Sequence, residues 1–266
     1  MLAAELYGKV SIRLTTSEDV LTSYVLSLFR YLSDMRVLED WLRRARNVAG
    51  QSLPIDRFTH ADVAFWPRVC LPDGREREPD AVLALGDASG HHSVLVVEAK
   101  FHAGLSNQGP GSPLDQDDNA GGLNGETQLA GHQLADALVA LSHGMWKRPK
   151  VIGQWLTKAD ATAVLYITAH HAMPVEDIPG SAADVYWLSW RALADVLEQH
   201  GKGRYVGYSP GERNLLNDVY AILRRRKLLS FVNYLEELEP VEPYTRRLFV
   251  RSALAPVKPY HRLLAG

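Results

Sequence analysis

The sequence lacks several features that mark familiar classes of protein. It has one cysteine, Cys70, among 266 residues, which excludes a disulfide framework and fits a reducing cytoplasm. No basic segment followed by an apolar run opens the chain, so we expect no secretory signal. No apolar stretch approaches the length that crosses a bilayer, which predicts no membrane partner. A Gly-x-x-x-x-Gly-Lys phosphate loop is also missing, so ATP hydrolysis is unsupported.

Strong net charge is absent too, and the charges that exist are unevenly placed. The formal net charge is −2, so any surface that binds a polyanion has to be local. From Arg213 to Gly266 there are ten basic residues against five acidic ones. The expected nucleic-acid-binding residues within this region are Arg224, Arg225, Arg226, Lys227 and Arg247. A solvated helix face is the alternative for each of them.

Hydrophobic residues make up 46% of the chain, enough for a sizeable core. A length of 266 residues suits one large domain, or a core with an appended lobe, and hydrophobic periodicity and turn residues predict a mixture of helices and strands, an α/β protein. The predicted helices cover residues 16–32, 39–47, 126–141, 190–200 and 211–229. The predicted extended segments cover residues 58–71, 162–169 and 185–189, besides a β-hairpin.

That hairpin is the most informative feature of the sequence. Two short apolar runs, residues 81–85 and 93–97, are joined by a polar segment rich in Gly, Asp and Ser. If the hairpin is symmetric about Ser89, Asp80 lies opposite Glu98, and Lys100 projects from the same face as Glu98. Like charges at that spacing repel, so a cation between them is expected. Val94 and Val96 share this face and look buried, which distinguishes the site from a charged, solvent-exposed strand edge.

The motif Pro79-Asp80…Glu98-Ala99-Lys100 resembles the core of the PD-(D/E)xK nuclease superfamily. The resemblance implies that Asp80, Glu98 and the backbone carbonyl of Ala99 hold Mg²⁺, for which Mn²⁺ can substitute. It implies that Lys100 orients or deprotonates the attacking water, or stabilises the charge of the transition state. It also implies a restriction-endonuclease-like core, an αβββαβ mixed sheet flanked by helices, over residues 1–205. Residues 206–266 would then form a basic, helical carboxyl-terminal extension packed on that core.

Two further site residues follow from the same resemblance. Glu18 is the best match to a glutamate on the first core helix that reaches the metal through water, although an acid at a helix start also complements the helix dipole. Gln128, followed by Leu129, matches a glutamine on the helix after the lysine strand, and Gln133 is a competing copy. Neither is followed by a tyrosine four residues later, which departs from the RecB-like pattern.

The sequence therefore predicts a cytoplasmic, Mg²⁺-dependent endonuclease that acts on DNA. The segments Tyr186–Trp190 and Arg224–Phe231 resemble the carboxyl halves of bacterial defence-associated nucleases of this group. That resemblance suggests a role in anti-phage defence or DNA processing, with protein partners or a homodimer as expected assemblies. A non-catalytic nucleic-acid-binding or assembly subunit with the same fold is the alternative. A glycosidase with paired carboxylates is a third hypothesis, which Lys100 beside the acids disfavours.

Overall fold

A mixed β-sheet with helices on both faces organises this α/β protein. The computed structural model describes residues 18–55, 57–100, 124–180 and 182–230, and for residues 124–131 only the course of the backbone. The helices are α1 (Glu18–Leu26), α2 (Leu28–Tyr31), α3 (Arg36–Leu42), α4 (Asn124–His143), α5 (Val151–Lys158), α6 (Trp190–Lys202) and α7 (Pro210–Arg225). The strands are β1 (His60–Phe65), β2 (Arg68–Cys70), β3 (Glu76–Arg77), β4 (Ala81–Gly86), β5 (His92–Lys100), β6 (Met145–Arg148), β7 (Ala161–Thr168) and β8 (Val185–Ser189). None of the described helices is both long and apolar enough to span a membrane.

The large sheet has five strands in the order β1, β4, β5, β7, β8. β4 runs antiparallel to both β1 and β5, whereas β5, β7 and β8 run parallel to one another. A parallel pair needs a long crossover, and the connection from β5 to β7 carries both α4 and α5. The carboxyl ends of β5, β7 and β8 therefore meet at one edge of the sheet, where Lys100 is in register with Thr168, and Thr168 with Ser189.

The register of the β4–β5 hairpin confirms the sequence prediction. The last paired residues of the ladder are Ala81 and Val97, so the pairing is centred on Ser89. Asp80 then comes opposite Glu98 one step beyond the ladder, because strand partners keep a constant sum of residue numbers. β4 is buried along its whole length and β5 from Val94 to Ala99, so the local geometry of the turn sets this register rather than an alternation of apolar and polar residues.

The turn itself is stabilised by one acidic side chain. Oδ1 of Asp87 accepts the backbone N–H groups of Ser89 and His91 at 2.8 and 2.9 Å. Gly90 has φ of 90°, a conformation that residues with side chains rarely adopt. The turn is thus built from short-range interactions that the local sequence encodes.

The two faces of the sheet pack against different helices. On one face, Leu83, Leu95 and Val97 contribute to a large apolar cluster with residues of α1, α2, α3, α6 and α7. Trp41 and Trp190 stack within this cluster at 5.8 Å between ring centroids. On the other face, Val82, Val94 and Val96 pack with residues of α4, α5, β7 and β8; the helix contributions are Leu134, Ala137 and Ile152. Glu98 lies on this second face, as predicted.

A small three-stranded sheet, in the order β3, β2, β6, packs beside α4. The sequence predicted an extended course through β1 and β2 but missed β6 and α5. β6 is short and carries two basic residues, and its pairing with β2 joins segments about 75 residues apart. Strand formation there depends on tertiary pairing rather than on local preference.

The amino-terminal helices differ from the prediction. The expected continuous helix up to Leu32 is divided at Ser27 into α1 and α2. The expected helix over residues 39–47 instead begins at Arg36 and ends at Leu42. The backbone of Arg46 exchanges two hydrogen bonds with Trp187 of β8, at 3.0 and 2.8 Å. This pairing needs an extended conformation, so the helix cannot continue to Asn47.

The last two described helices pack on each other and on the sheet. α7 begins with a capping box, in which the Ser209 hydroxyl accepts the N–H of Glu212 and the Glu212 carboxylate accepts that of Ser209. Leu216 and Ile222 join the large cluster. The chain divides after Ser230, and residues 231–266 lie outside the described residues. The boundary between residues 205 and 206 stays a prediction.

Candidate functional site

Asp80 immediately precedes β4 and is tied to the neighbouring strand. Its Oδ2 accepts the backbone N–H of Ala99 at 2.7 Å. This bond bridges the two strands at the point where the hairpin ladder ends and holds the carboxylate beside β5. Ala99 is fully buried, and its carbonyl as a metal ligand stays a prediction.

Glu98 is a buried acid, with 8% of its surface exposed. It is in register with Tyr166 of β7, whose hydroxyl donates to Asp177 at 2.8 Å. It also lines a cleft of about 180 Å³ between the sheet, the small sheet and α4. The hairpin therefore brings the carboxylate of Glu98 to a cleft and places Asp80 opposite Glu98 on the neighbouring strand.

Lys100 and Glu18 form an ion pair across two elements. Nζ of Lys100 lies 3.3 Å from Oε1 of Glu18, and both side chains are roughly three-quarters buried. Glu18 is the first residue of α1 and an acid of its first turn, a position that suits both a role beside the site and an interaction with the helix dipole. A link from Glu18 to a metal through water stays a prediction.

The charges in this group act strongly on one another. Burial, followed by repulsion from Asp80, raises the pKa of Glu98 to about 8. Burial raises the pKa of Asp80 to about 6, against the opposing effects of the Ala99 N–H and of Lys100. Burial alone would lower the pKa of Lys100, but Glu18, Asp80 and Glu98 outweigh it and raise the pKa. Lys100 is therefore cationic at neutral pH, and ionising both acids has a cost that a bound cation would offset.

Among the described side chains, Gln133 is the glutamine that lines the cleft of Glu98. Its buried Oε1 accepts no hydrogen bond within the described residues. Gln128 lies in α4, but its side chain falls outside the described residues. The sequence contained a signal for Gln133, the repeated Gln-Leu pair, but could not rank the two copies.

The residues that could hold a metal are Asp80 and Glu98. Among the described residues, no three His, Cys, Asp or Glu side chains lie close enough together to form a metal site. Two carboxylates are compatible with Mg²⁺, which keeps several waters and takes substrate phosphate oxygens as further ligands. The donor chemistry and the raised pKa values of both acids thus fit a hard divalent cation.

The basic cluster predicted to bind nucleic acid lies at the end of α7. Arg224 and Arg225 close the helix and are exposed, and Lys227 follows with φ of 59°. The N–H of Lys227 bonds to the carbonyl of Arg224, and that of Leu228 to Leu223, which is a Schellman motif. Arg247 lies outside the described residues.

Arg191 links this turn to the edge of the sheet that contains Lys100. Its Nε donates to the carbonyl of Ala169, directly after β7, at 3.1 Å. Its Nη1 donates to the carbonyls of Lys227 and Leu229 at 3.0 and 2.6 Å. The basic turn and Lys100 therefore lie at the same edge of the sheet; contact of the turn with nucleic acid stays a prediction.

Comparison of the chain with protein-family models, with curated proteins and with solved structures found no match.

The sequence held no signal for two residues that the fold brings to the cleft, Arg77 and Asp136. They are 59 positions apart, and only the packing of α4 against the small sheet brings them together.

Proposed function

We propose that this protein is a Mg²⁺-dependent nuclease that hydrolyses phosphodiester bonds of DNA, with a core of the restriction-endonuclease type. The observation that carries the proposal is the placement of Asp80 opposite Glu98 at the end of a buried hairpin, with Lys100 alongside. The antiparallel β1, β4 and β5, followed by helix and a parallel β7, agree with such a core.

Asp80 and Glu98 are the residues that would hold the metal ion. When bound, Mg²⁺ would neutralise charge on the phosphate and acidify the attacking water. The Ala99 N–H orients the Asp80 carboxylate at 2.7 Å, and burial of Glu98 keeps bulk water from competing for its oxygens. The protein thus supplies two carboxyl groups in a buried setting, and because the pKa of Glu98 is raised to about 8, metal binding at neutral pH would release the proton of Glu98 and pair its charge with the cation.

Lys100 acts as a cation in this proposal. Because neighbouring carboxylates raise its pKa, it is protonated at neutral pH and donates hydrogen bonds to the developing charge of the transition state. Glu18 holds the ammonium group in place from α1. This role differs from deprotonating the water, for which a lowered pKa would be needed.

DNA would approach along the sheet edge at which the basic turn of α7 and Lys100 both lie. The exposed side chains of Arg224 and Arg225 supply positive charge there, which offsets repulsion of phosphate by the acids. Long-range attraction of this kind steers a polyanion toward a site.

A cleavage assay tests the proposal directly. Supercoiled plasmid, linear duplex and single-stranded DNA are incubated with the protein in Mg²⁺, in Mn²⁺ or in EDTA. Cleavage should require the metal and should be lost in Asp80→Asn and in Glu98→Gln. Glu176→Gln removes an exposed carboxylate elsewhere on the protein and should remain active.

Cleavage by Asp80→Asn, or cleavage by the wild type in EDTA, would refute the proposed mechanism. DNA binding by the wild type without cleavage under any of these conditions would favour the non-catalytic subunit instead.

A further inference from the structure

The cleft beside Glu98 contains an arginine that the proposed chemistry does not yet use. Arg77, in β3, lines this cleft together with Glu98, Gln133 and Asp136. It is close enough to Glu98 that its charge lowers the pKa of that acid, against the larger effect of burial. The cationic group thus belongs to the same electrostatic environment as the proposed metal ligands.

Asp136 of α4 positions Arg77 through one edge of the guanidinium. Nε of Arg77 donates to Oδ2 of Asp136 at 2.5 Å. Asp136 also accepts two hydrogen bonds from Arg75, at 3.1 and 2.9 Å, and is only 7% exposed. A buried carboxylate between two guanidinium groups is costly to release, so the position of the Arg77 head group is well defined.

The two arginines of this clamp are not equivalent. Arg75 uses both of its Nη groups on Asp136 and its Nε on Asp73. Arg77 uses Nε alone, and within the described residues its two Nη groups make no hydrogen bond. The Arg77 side chain is 41% exposed. Four N–H donors of a fixed guanidinium therefore remain available to a ligand in the cleft.

The other charged groups that line the cleft have partners. Glu76 pairs with Lys147, and Glu78 pairs with Arg68 at 3.1 Å. Within the described part of the chain, what is left over is the buried carboxylate of Glu98 and the Nη edge of Arg77. One group suits a metal cation, and the other suits an oxyanion, which a guanidinium can bind through two parallel hydrogen bonds.

We propose that Arg77 binds a phosphate group of the substrate beside the proposed metal site and that Asp136 is its positioning residue. The inference rests on the proposed nuclease function and extends it, since it assigns the cleft next to Glu98 to the DNA backbone. A phosphate bound there would be held by the protein itself, independently of the metal.

The test compares Arg77→Ala, Arg77→Lys and Arg30→Ala, the last a control that removes an exposed arginine of α2, a helix that packs on the opposite face of the sheet from the cleft. Binding of a short DNA duplex is measured by fluorescence anisotropy at several salt concentrations, with Ca²⁺ in place of Mg²⁺ to prevent cleavage. Mn²⁺ affinity is measured by calorimetry, and folding by thermal unfolding.

Arg77→Ala should bind duplex DNA at least about tenfold more weakly and should lower the slope of log affinity against log salt by about 0.9, the value for one lost phosphate contact. Its Mn²⁺ affinity should not fall, because no metal ligand is changed. Arg77→Lys should keep the salt slope but recover only part of the affinity, because an ammonium group cannot form the two parallel bonds. Arg30→Ala should match the wild type.

Asp136→Asn tests the positioning role. It should weaken DNA binding less than Arg77→Ala, because the cation remains but its head group is held less firmly, and combining it with Arg77→Ala should add no further loss. If the wild type binds and cleaves DNA, and Arg77→Ala binds DNA with the same affinity and the same salt slope, this inference is wrong while the proposed function stands. Wild-type protein that neither binds nor cleaves DNA would overturn the proposed function and this inference with it.

Discussion

Replacing Glu98 by glutamine should stabilise the metal-free protein at alkaline pH, because it removes a buried carboxyl group that the fold ionises at a cost. The Glu98 side chain is almost completely buried, and its pKa rises from 4.5 to about 8. The folded protein therefore keeps a proton that the unfolded chain has already released between these two values. The free energy of unfolding of the wild type must fall as pH rises through this window.

The size of the effect follows from the shift. One unit of pKa shift corresponds to about 1.4 kcal/mol, so the wild type should lose on the order of 4 kcal/mol between the unfolded and folded pKa values of Glu98. Asp80 acts in the same direction between 3.8 and about 6. The two contributions are not additive, because the repulsion between these acids enters both shifts. Glu98→Gln should remove most of the loss.

The measurement is urea unfolding followed by tryptophan fluorescence, in EDTA, at a series of pH values from about 5 to about 8.5, the range that brackets most of the shift. The readout is the difference between wild type and variant, since other groups titrate in both. Glu78→Gln is the matched control, because Glu78 lines the same cleft with a side chain that is 48% exposed. Its stability should follow that of the wild type to within about 1 kcal/mol.

Mg²⁺ provides the second half of the experiment. A ligand that binds only the folded state stabilises it, so Mg²⁺ should raise the stability of the wild type more at alkaline pH than at acidic pH, and should have little effect on Glu98→Gln. If the free energies of unfolding of the wild type and of Glu98→Gln fall in parallel across this pH range, Glu98 ionises with an ordinary pKa. The electrostatic account of the site would then be wrong.

Three further predictions test other parts of the protein. Lys100→Ala should reduce the initial cleavage rate by about two orders of magnitude while keeping Mn²⁺ affinity in calorimetry; undiminished cleavage would move the catalytic cation elsewhere. Ser209→Ala should lower the free energy of unfolding in urea by about 1 kcal/mol, because α7 loses its cap, whereas Ser209→Asp should keep it; equal stability of the two variants would contradict this reading. Gly144→Ala should lower the free energy of unfolding by about 1–3 kcal/mol, because an added Cβ would lie 2.5 Å from the carbonyl oxygen of Ala140. Gly153→Ala is the control: a Cβ added there has no atom within 4 Å, so the change should be neutral or stabilising.

The sequence by itself determined the hairpin and the residues at its end. The side-chain period of a strand is two, and the turn from Asp87 to Gly90 is built from local bonds, so the register that places Asp80 opposite Glu98 could be predicted from residues close together in the chain. Strand β8 was predicted at its observed bounds for the same reason. These features depend on short-range patterns, which a single sequence contains.

Only the tertiary structure decided which other side chains join the site. α3 does not continue to Asn47 because Arg46 pairs with Trp187. Gln133 lines the same cleft as Glu98 because of how α4 packs on the sheet. Arg77 lines the cleft because β3, a strand of two residues, contacts α4, where Asp136 lies 59 positions later in the sequence. Such contacts join residues distant in sequence, and their geometry is set by the packing of whole elements, which no local pattern specifies.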